Sequence, residues 1–251
     1  MPINYLRRLT SPARSEASNR QLGGSLAFVA GAVNAGGFLA VGQYTSHMSG
    51  VVSALADDLV LGQTVLLATG AGSLLAFMAG AAVSALMINW ARRRRLQSEY
   101  AMPLMLEAVL LLCFGILGGN LDGHRLLFAP VMVMLLCFVM GLQNAMISKI
   151  SRSEIRTTHV TGLVTDIGIE LGRMCYWKLA PRPPGELHPD DPLPPARRRF
   201  ALLSSLLLMF FVGGVSGALG FKALGFIATV PLAASLFVLA LVPLMDDLSR
   251  H

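Results

Sequence analysis

Five stretches of this chain contain no Asp, Glu, Lys or Arg: residues 21–56, 59–91, 126–148, 200–221 and 223–245. Each is longer than the roughly 18–20 apolar residues that cross the hydrocarbon core of a bilayer. A chain written this way cannot cover its apolar surface in water, so the expected class is an all-α integral membrane protein. Composition agrees, with 54% hydrophobic and 14% charged residues. Soluble domains carry about 25% charged residues.

Hydropathy places six transmembrane helices at about 22–42, 64–90, 101–119, 126–148, 200–220 and 223–244. Two weaker segments, about 48–62 and 160–175, contain Asp57 and Asp58, and Asp166, Glu170 and Arg173. Their polarity marks them as non-spanning half-helices. The basic clusters are Arg7, Arg8, Arg14 and Arg20, then Arg92–Arg95, then Lys149, Arg152 and Arg156, then Arg197–Arg199. The positive-inside rule puts all of them in the cytoplasm, which works only if the weak segments do not cross. Both termini are then cytoplasmic.

This gives a cytoplasmic N-terminus at 1–21, a first membrane repeat at 22–121, a second at 122–244 and a cytoplasmic tail at 245–251. A proline- and charge-rich cytoplasmic loop at 180–199 interrupts the second repeat. The apolar run after Arg20 is too long for a signal peptide and carries part of the repeat, so it reads as the first span. A net charge of +6 and a pI near 9.7 come from topology signals, not from a nucleic-acid module, which would need aromatic and basic residues together. Cys113, Cys137 and Cys175 lack metal or redox spacing. No metal cluster, cofactor loop or catalytic set is written in the chain, so an enzyme is not expected.

The chain repeats itself. "GAVNA" at 31–35 matches "GLQNA" at 141–145, and "TSHMSGVV" from Thr45 matches "TTHVTGLV" from Thr157. Asp58 then falls opposite Glu170. "FMAGAAVSAL" from Phe77 resembles "FVGGVSGALG" from Phe211, and "PLMLEAVLLL" from Pro103 resembles "PLAASLFVLA" from Pro231. Three spans per copy is an odd number, so the second copy enters from the opposite side. The expectation is a 3+3 inverted repeat of the kind secondary transporters use.

The duplicated T-[ST]-H-x-[ST]-G motif holds His47, Ser49 and Gly50 in one copy and His159, Thr161 and Gly162 in the other. Glycine beside hydroxyls allows a backbone break, leaving a short helix whose N-terminus points into the protein. Such an end suits an anion or a carboxylate, and histidine adds a proton switch near neutral pH. The same residues also read as interhelical packing. Asn34 and Asn144, matched mid-span, read either as glue for the broken segments or as solute contacts, and Gln143 adds polarity to the second copy alone. Glu107 is the one charge inside the third span and is a proton-coupling candidate, or else a residue hydrated near the interface. Asp58, Asp166 and Glu170 face a wet cavity or end short helices.

The stretches "GAVNAGGFLAVGQYTSHMSG" and "GLQNAMISKISRSEIRTTHVTGLVTDIGIELGR" resemble the YoaK-type bacterial membrane proteins, a family of unknown function, over roughly 22–244. Gly141, Gln143, Asn144, Thr157, Thr158, Thr161 and Gly162 stand where that family has them. This chain departs at Asn34, where the family carries an acidic residue, and at Ser49, Gly50 and Val51, where it has Thr-Gly-Asn. The resemblance implies an integral inner-membrane protein and no particular substrate. The expected function is a small secondary transporter or permease for an unidentified small solute. A non-transporting scaffold or regulatory partner is the alternative. The lipid bilayer and the solute are the expected partners, a homo-oligomer is compatible with the apolar surface, and neither nucleic acid nor cofactor is expected.

Overall fold

Backbone N–H and C=O groups in lipid have no water to bond, so apolar runs satisfy themselves as helices. A computed structural model describes residues 16–96, 98–119, 125–150, 158–179 and 196–248. They form α1 (Glu16–Val41), α2 (Met48–Val60), α3 (Thr64–Arg93), α4 (Ala101–Gly118) and α5 (Arg125–Ile150). They continue as α6 (Val160–Leu179), α7 (Arg197–Leu224), a 3-10 turn (Gly225–Ala228) and α8 (Thr229–Leu248). No strand occurs among the described residues. Arg7, Arg8, Arg14, Arg152, Arg156, Thr157 and the proline-rich stretch 180–195 lie outside them.

Among the described residues, five segments are long and apolar enough to cross a membrane: Ser18–Val41, Thr64–Arg93, Ala101–Gly118, Ala129–Ile150 and Arg197–Met245. The last is divided by the 3-10 turn into α7 and α8. The chain is thus an α-helical protein with the lengths and apolarity of a membrane bundle. The break between the last two helices falls later than the Lys222 boundary read from the sequence. A lone charge does not stop a helix, whereas Gly225, at φ 60°, does. α2 has 13 residues, so it is about 20 Å long and falls short of a roughly 30 Å core. α6, at 20 residues, runs past the expected end near 175, yet it carries Asp166, Glu170, Arg173 and Lys178.

Glycine decides which helices meet. α1 packs along α7, and α3 along α5, the two most extensive helix contacts among the described residues. A Cβ on Gly31 would stand 2.0 Å from the Phe210 carbonyl oxygen, and one on Gly213 would stand 2.0 Å from that of Phe28. The other pair repeats this: Gly80 meets the Phe138 carbonyl oxygen and Gly141 that of Phe77, each at 2.0 Å. Each crossing therefore brings backbone against backbone, the closest approach two helices can make, and gains dispersion energy that bulkier residues would forfeit. These contacts match Phe77 with Phe210 and Gly80 with Gly213. The sequence alignment, which started the second copy at Phe211, is one residue out; the shared Phe-x-x-Gly spacing gives the structural register.

α4 and α8 run against each other. Each has proline as its third residue, Pro103 and Pro231, where the missing N–H would have had no helical acceptor. At one end of this pair the Phe226 ring packs edge-on to Phe114 at 5.6 Å and covers Gly118. At the other end the Ser98 N–H donates to Asp247 Oδ2 at 2.8 Å. Nearby, Arg92 donates to Glu99 at 2.9 Å and to the Tyr100 hydroxyl. Leu26, Leu104, Leu136, Met140 and Leu236 fill the space between α1, α4, α5 and α8.

Candidate functional site

The helix α1 ends at Gly42, whose positive φ of 76° and N–H bond to the Phe38 carbonyl at 2.8 Å close the last turn. The chain then runs non-helically to His47, the residue before α2. In the second copy it reaches His159 just before α6. Both histidine carbonyls accept the first bond of the new helix, from Val51 at 3.1 Å and from Leu163 at 3.0 Å. The motif therefore breaks the helix where expected, and each half presents a helix N-terminus beginning immediately after its histidine.

Two asparagines hold these ends in place. Asn34 Oδ1, on α1, accepts the Ser46 backbone N–H at 3.2 Å and the Ser46 hydroxyl at 2.9 Å. Asn144 Oδ1, on α5, accepts the Thr158 hydroxyl at 2.7 Å. Its Nδ2 donates to the Met140 carbonyl at 2.9 Å, which orients the amide. Each asparagine is half-buried, and the burial pattern of 31–37 is repeated residue for residue at 141–147. The glycines are equally specific. A Cβ on Gly50 would stand 2.7 Å from His47 Nδ1, and one on Gly162 would stand 2.7 Å from His159 Nδ1. Each imidazole thus folds back over the first turn of its own helix, and only glycine leaves it room.

The two copies converge on one cavity of about 810 Å³. Its walls include Asn34 and Asn144, Ser46 and Thr158, His47 and His159, and Ser49 and Thr161, with Phe77 and Phe210 closing it from α3 and α7. Both histidines, Ser49 and Thr161 are exposed to this space. Neither α2 nor α6 has an acidic residue in its first turn, so the positive ends of both dipoles are uncompensated. The arrangement offers hydroxyl donors, backbone N–H groups and imidazoles to a small guest, with an aromatic on either side. A family model described as "Protein of unknown function (DUF1275)" matches residues 22–242.

The chain belongs to the DUF1275 family.

The matched span takes in both copies of the motif and both asparagines, and the YoaK-type resemblance is consistent with this family. No curated protein and no solved structure matches the chain.

The remaining candidates of this DUF1275 protein lie elsewhere. Glu107 of α4 is fully buried and accepts from Gln143 Nε2 of α5 at 2.8 Å, so neither lines the motif cavity. Glu170 is buried, with Oε2 accepting the N–H of Ala196, the residue that caps α7, at 3.0 Å. Its other oxygen takes Arg173 at 3.0 Å. The counterpart of Ala196 is Gln63, which precedes α3, and its N–H finds the backbone carbonyl of Asp58 at 2.9 Å. One orphan donor is thus met by a carbonyl in one half and by a carboxylate in the other. Asp166 pairs with Arg199 at 3.1 Å on the surface. No group of His, Cys, Asp and Glu able to hold a metal occurs among the described residues.

The sequence reading did not single out Ser46, Phe77 or Phe210 as site residues. Ser46 was legible as the hydroxyl before each histidine, and the two phenylalanines from the Phe-x-x-Gly spacing.

Proposed function

We propose that this DUF1275 chain is a small secondary transporter, built as a 3+3 inverted repeat in a bacterial inner membrane with both termini cytoplasmic. The cavity binds one small solute with an anionic group, a carboxylate being the simplest fit. The helix N-termini and the Ser49 and Thr161 hydroxyls take the charge, and the His47 and His159 imidazoles offer hydrogen bonds beside it. Rocking one half against the other carries the solute across. The lipid bilayer and this solute are its partners, it works without nucleic acid or a cofactor, it is not an enzyme, and self-association of copies is compatible with the apolar exterior.

The observation that carries this reading is the single cavity lined by equivalent residues of both copies. Packing alone would explain two separate buried motifs, but not two exposed histidines facing one shared space.

The test replaces Cys113, Cys137 and Cys175, then adds Ser49→Cys or Thr161→Cys. Each is probed from both membrane faces with a small water-soluble thiol reagent, and reconstituted protein is screened for uptake of radiolabelled carboxylates. Reaction at both positions, with saturable uptake, is expected. If neither reacts while loop controls do, the motifs are packing and the scaffold reading replaces transport. Deleting 183–195 would then abolish function, whereas a transporter tolerates that loss.

A further inference from the structure

Two helix contacts that correspond under the duplication are unequal in this structure. α4 packs along α5 through Glu107 and Gln143. The corresponding pair, α8 and α1, stand apart and, with α7, leave a groove of about 1320 Å³. Ser235, the counterpart of Glu107, opens into that groove beside Val29 and Ala32. One contact is shut and its counterpart open. In an inverted repeat, the same chain can exchange those two conformations between its halves.

The shut contact contains an unfinished hydrogen-bond set. Glu107 and Gln143 are both fully buried. One oxygen of each, Glu107 Oε2 and Gln143 Oε1, has no partner. A carboxylate there would be an uncompensated charge in an apolar setting. A proton taken from water onto Oε2 removes the charge and supplies the donor that the Gln143 oxygen lacks. Neighbouring elements bring no charge to the pair among the described residues. Lys149 of α5 is held by Asn89, Arg92 of α3 by Glu99 and Tyr100, and Asp247 of α8 by the Ser98 N–H. Cys137 of α5 is buried and Cys113 of α4 exposed, and the turn 225–228 has no titratable residue.

We propose that Glu107 and Gln143 form a proton-binding latch between α4 and α5, and that losing this proton lets α4 and α5 part while α1 closes on α8. The latch is joined to the motif cavity through α5, because Gln143 is followed by Asn144, the anchor of Thr158. Transport is therefore coupled to protons. This inference rests on the inverted-repeat transporter reading above.

The test uses the full chain without native cysteines, reconstituted in liposomes, carrying Met140→Cys or Ser235→Cys. Met140 is buried one turn from Gln143 on α5, and Ser235 is exposed in the groove. Each modification rate is divided by that of the same variant denatured in SDS at the same pH, which removes the titration of the thiol itself. On raising the pH, Met140→Cys should react about tenfold faster and Ser235→Cys about tenfold slower, a shift in one two-state equilibrium. Adding Glu107→Gln should abolish both responses.

Rates indifferent to pH, or responses that survive Glu107→Gln, overturn the latch. If Ser49→Cys and Thr161→Cys still react in those samples, the central site stands and only the latch falls. If they too are inert, the transporter reading falls with it.

Discussion

Asn144 Oδ1 accepts the Thr158 hydroxyl at 2.7 Å, tying the end of one helix to the start of another across fourteen residues of chain. Asn34 does the same for Ser46 in the first copy, with two bonds. The histidines next in sequence are positioned in the cavity by these anchors, together with the helix bonds their carbonyls accept. Asn144→Ala or Asn34→Ala should cost about 1–3 kcal/mol, read as lowered thermal stability in detergent. Hydrogen exchange should quicken most at 45–51 or 158–163, beside the lost anchor. Asn34→Asp keeps an acceptor oxygen and should stay near wild type.

Gly50 and Gly162 make room for an imidazole rather than for backbone. Gly50→Ala and Gly162→Ala should therefore displace the His47 or His159 ring while leaving the fold intact. Uptake in proteoliposomes should fall sharply with little change in melting temperature. A large loss of stability would show that the ring cannot move aside.

The crossing glycines behave differently, because their neighbours are backbone at 2.0 Å. Gly31→Ala, Gly80→Ala, Gly141→Ala and Gly213→Ala should each destabilise by about 1–3 kcal/mol or more, as helices are forced apart. Gly168 and Gly172, in α6, have nothing within 4 Å of a new Cβ. Alanine at those two should be neutral or stabilising by roughly 0.5–1 kcal/mol through helix propensity. A melting series in one detergent separates the two groups.

Glu170 accepts the N–H of the residue that opens α7, so a structural role is expected of it. Glu170→Ala should lower stability by about 0.5–1.5 kcal/mol, since it removes the acceptor of the N–H on exposed Ala196 and releases Arg173. It should leave the pH dependence of uptake unchanged, in contrast to Glu107→Gln. Uptake measured across pH in both variants checks this.

Burial, and then Glu99 beside it, push the Tyr100 phenol above its ordinary range. The folded chain thus holds the phenol proton more tightly than the unfolded chain. Tyrosine's contribution is fully present below its unfolded value of about 10, and is lost as pH rises through the folded value. Melting curves should show wild type losing more stability than Tyr100→Phe between neutral and strongly alkaline pH.

Much of this molecule is legible in its residues, for identifiable reasons. A charge-free run has one solution in lipid, so the long helices follow from composition. The motif announces its break because glycine and hydroxyls stand where a helix would otherwise continue, and the structure begins α2 and α6 right after His47 and His159. Which helices pair is less legible: α1 meets α7 rather than α3, a choice made by where Gly31 and Gly213 align in space. The one-residue slip at Phe211 has the same origin, since small-residue runs align almost equally well in either register. Polar residues far apart in sequence, such as Glu107 and Gln143, give no local sign of meeting.

The two glycine crossings have a consequence for how such a protein arises. Each is made of one helix from the first half and one from the second, so neither half contains a complete crossing. A half-length precursor would have had both sets of glycines but no partner helices within its own chain. On the inverted-repeat proposal, such a precursor would have worked as two copies inserted in opposite orientations. On the same proposal, Glu107 and Ser235 mark where the two halves differ: one position carries an acid and its twin a hydroxyl.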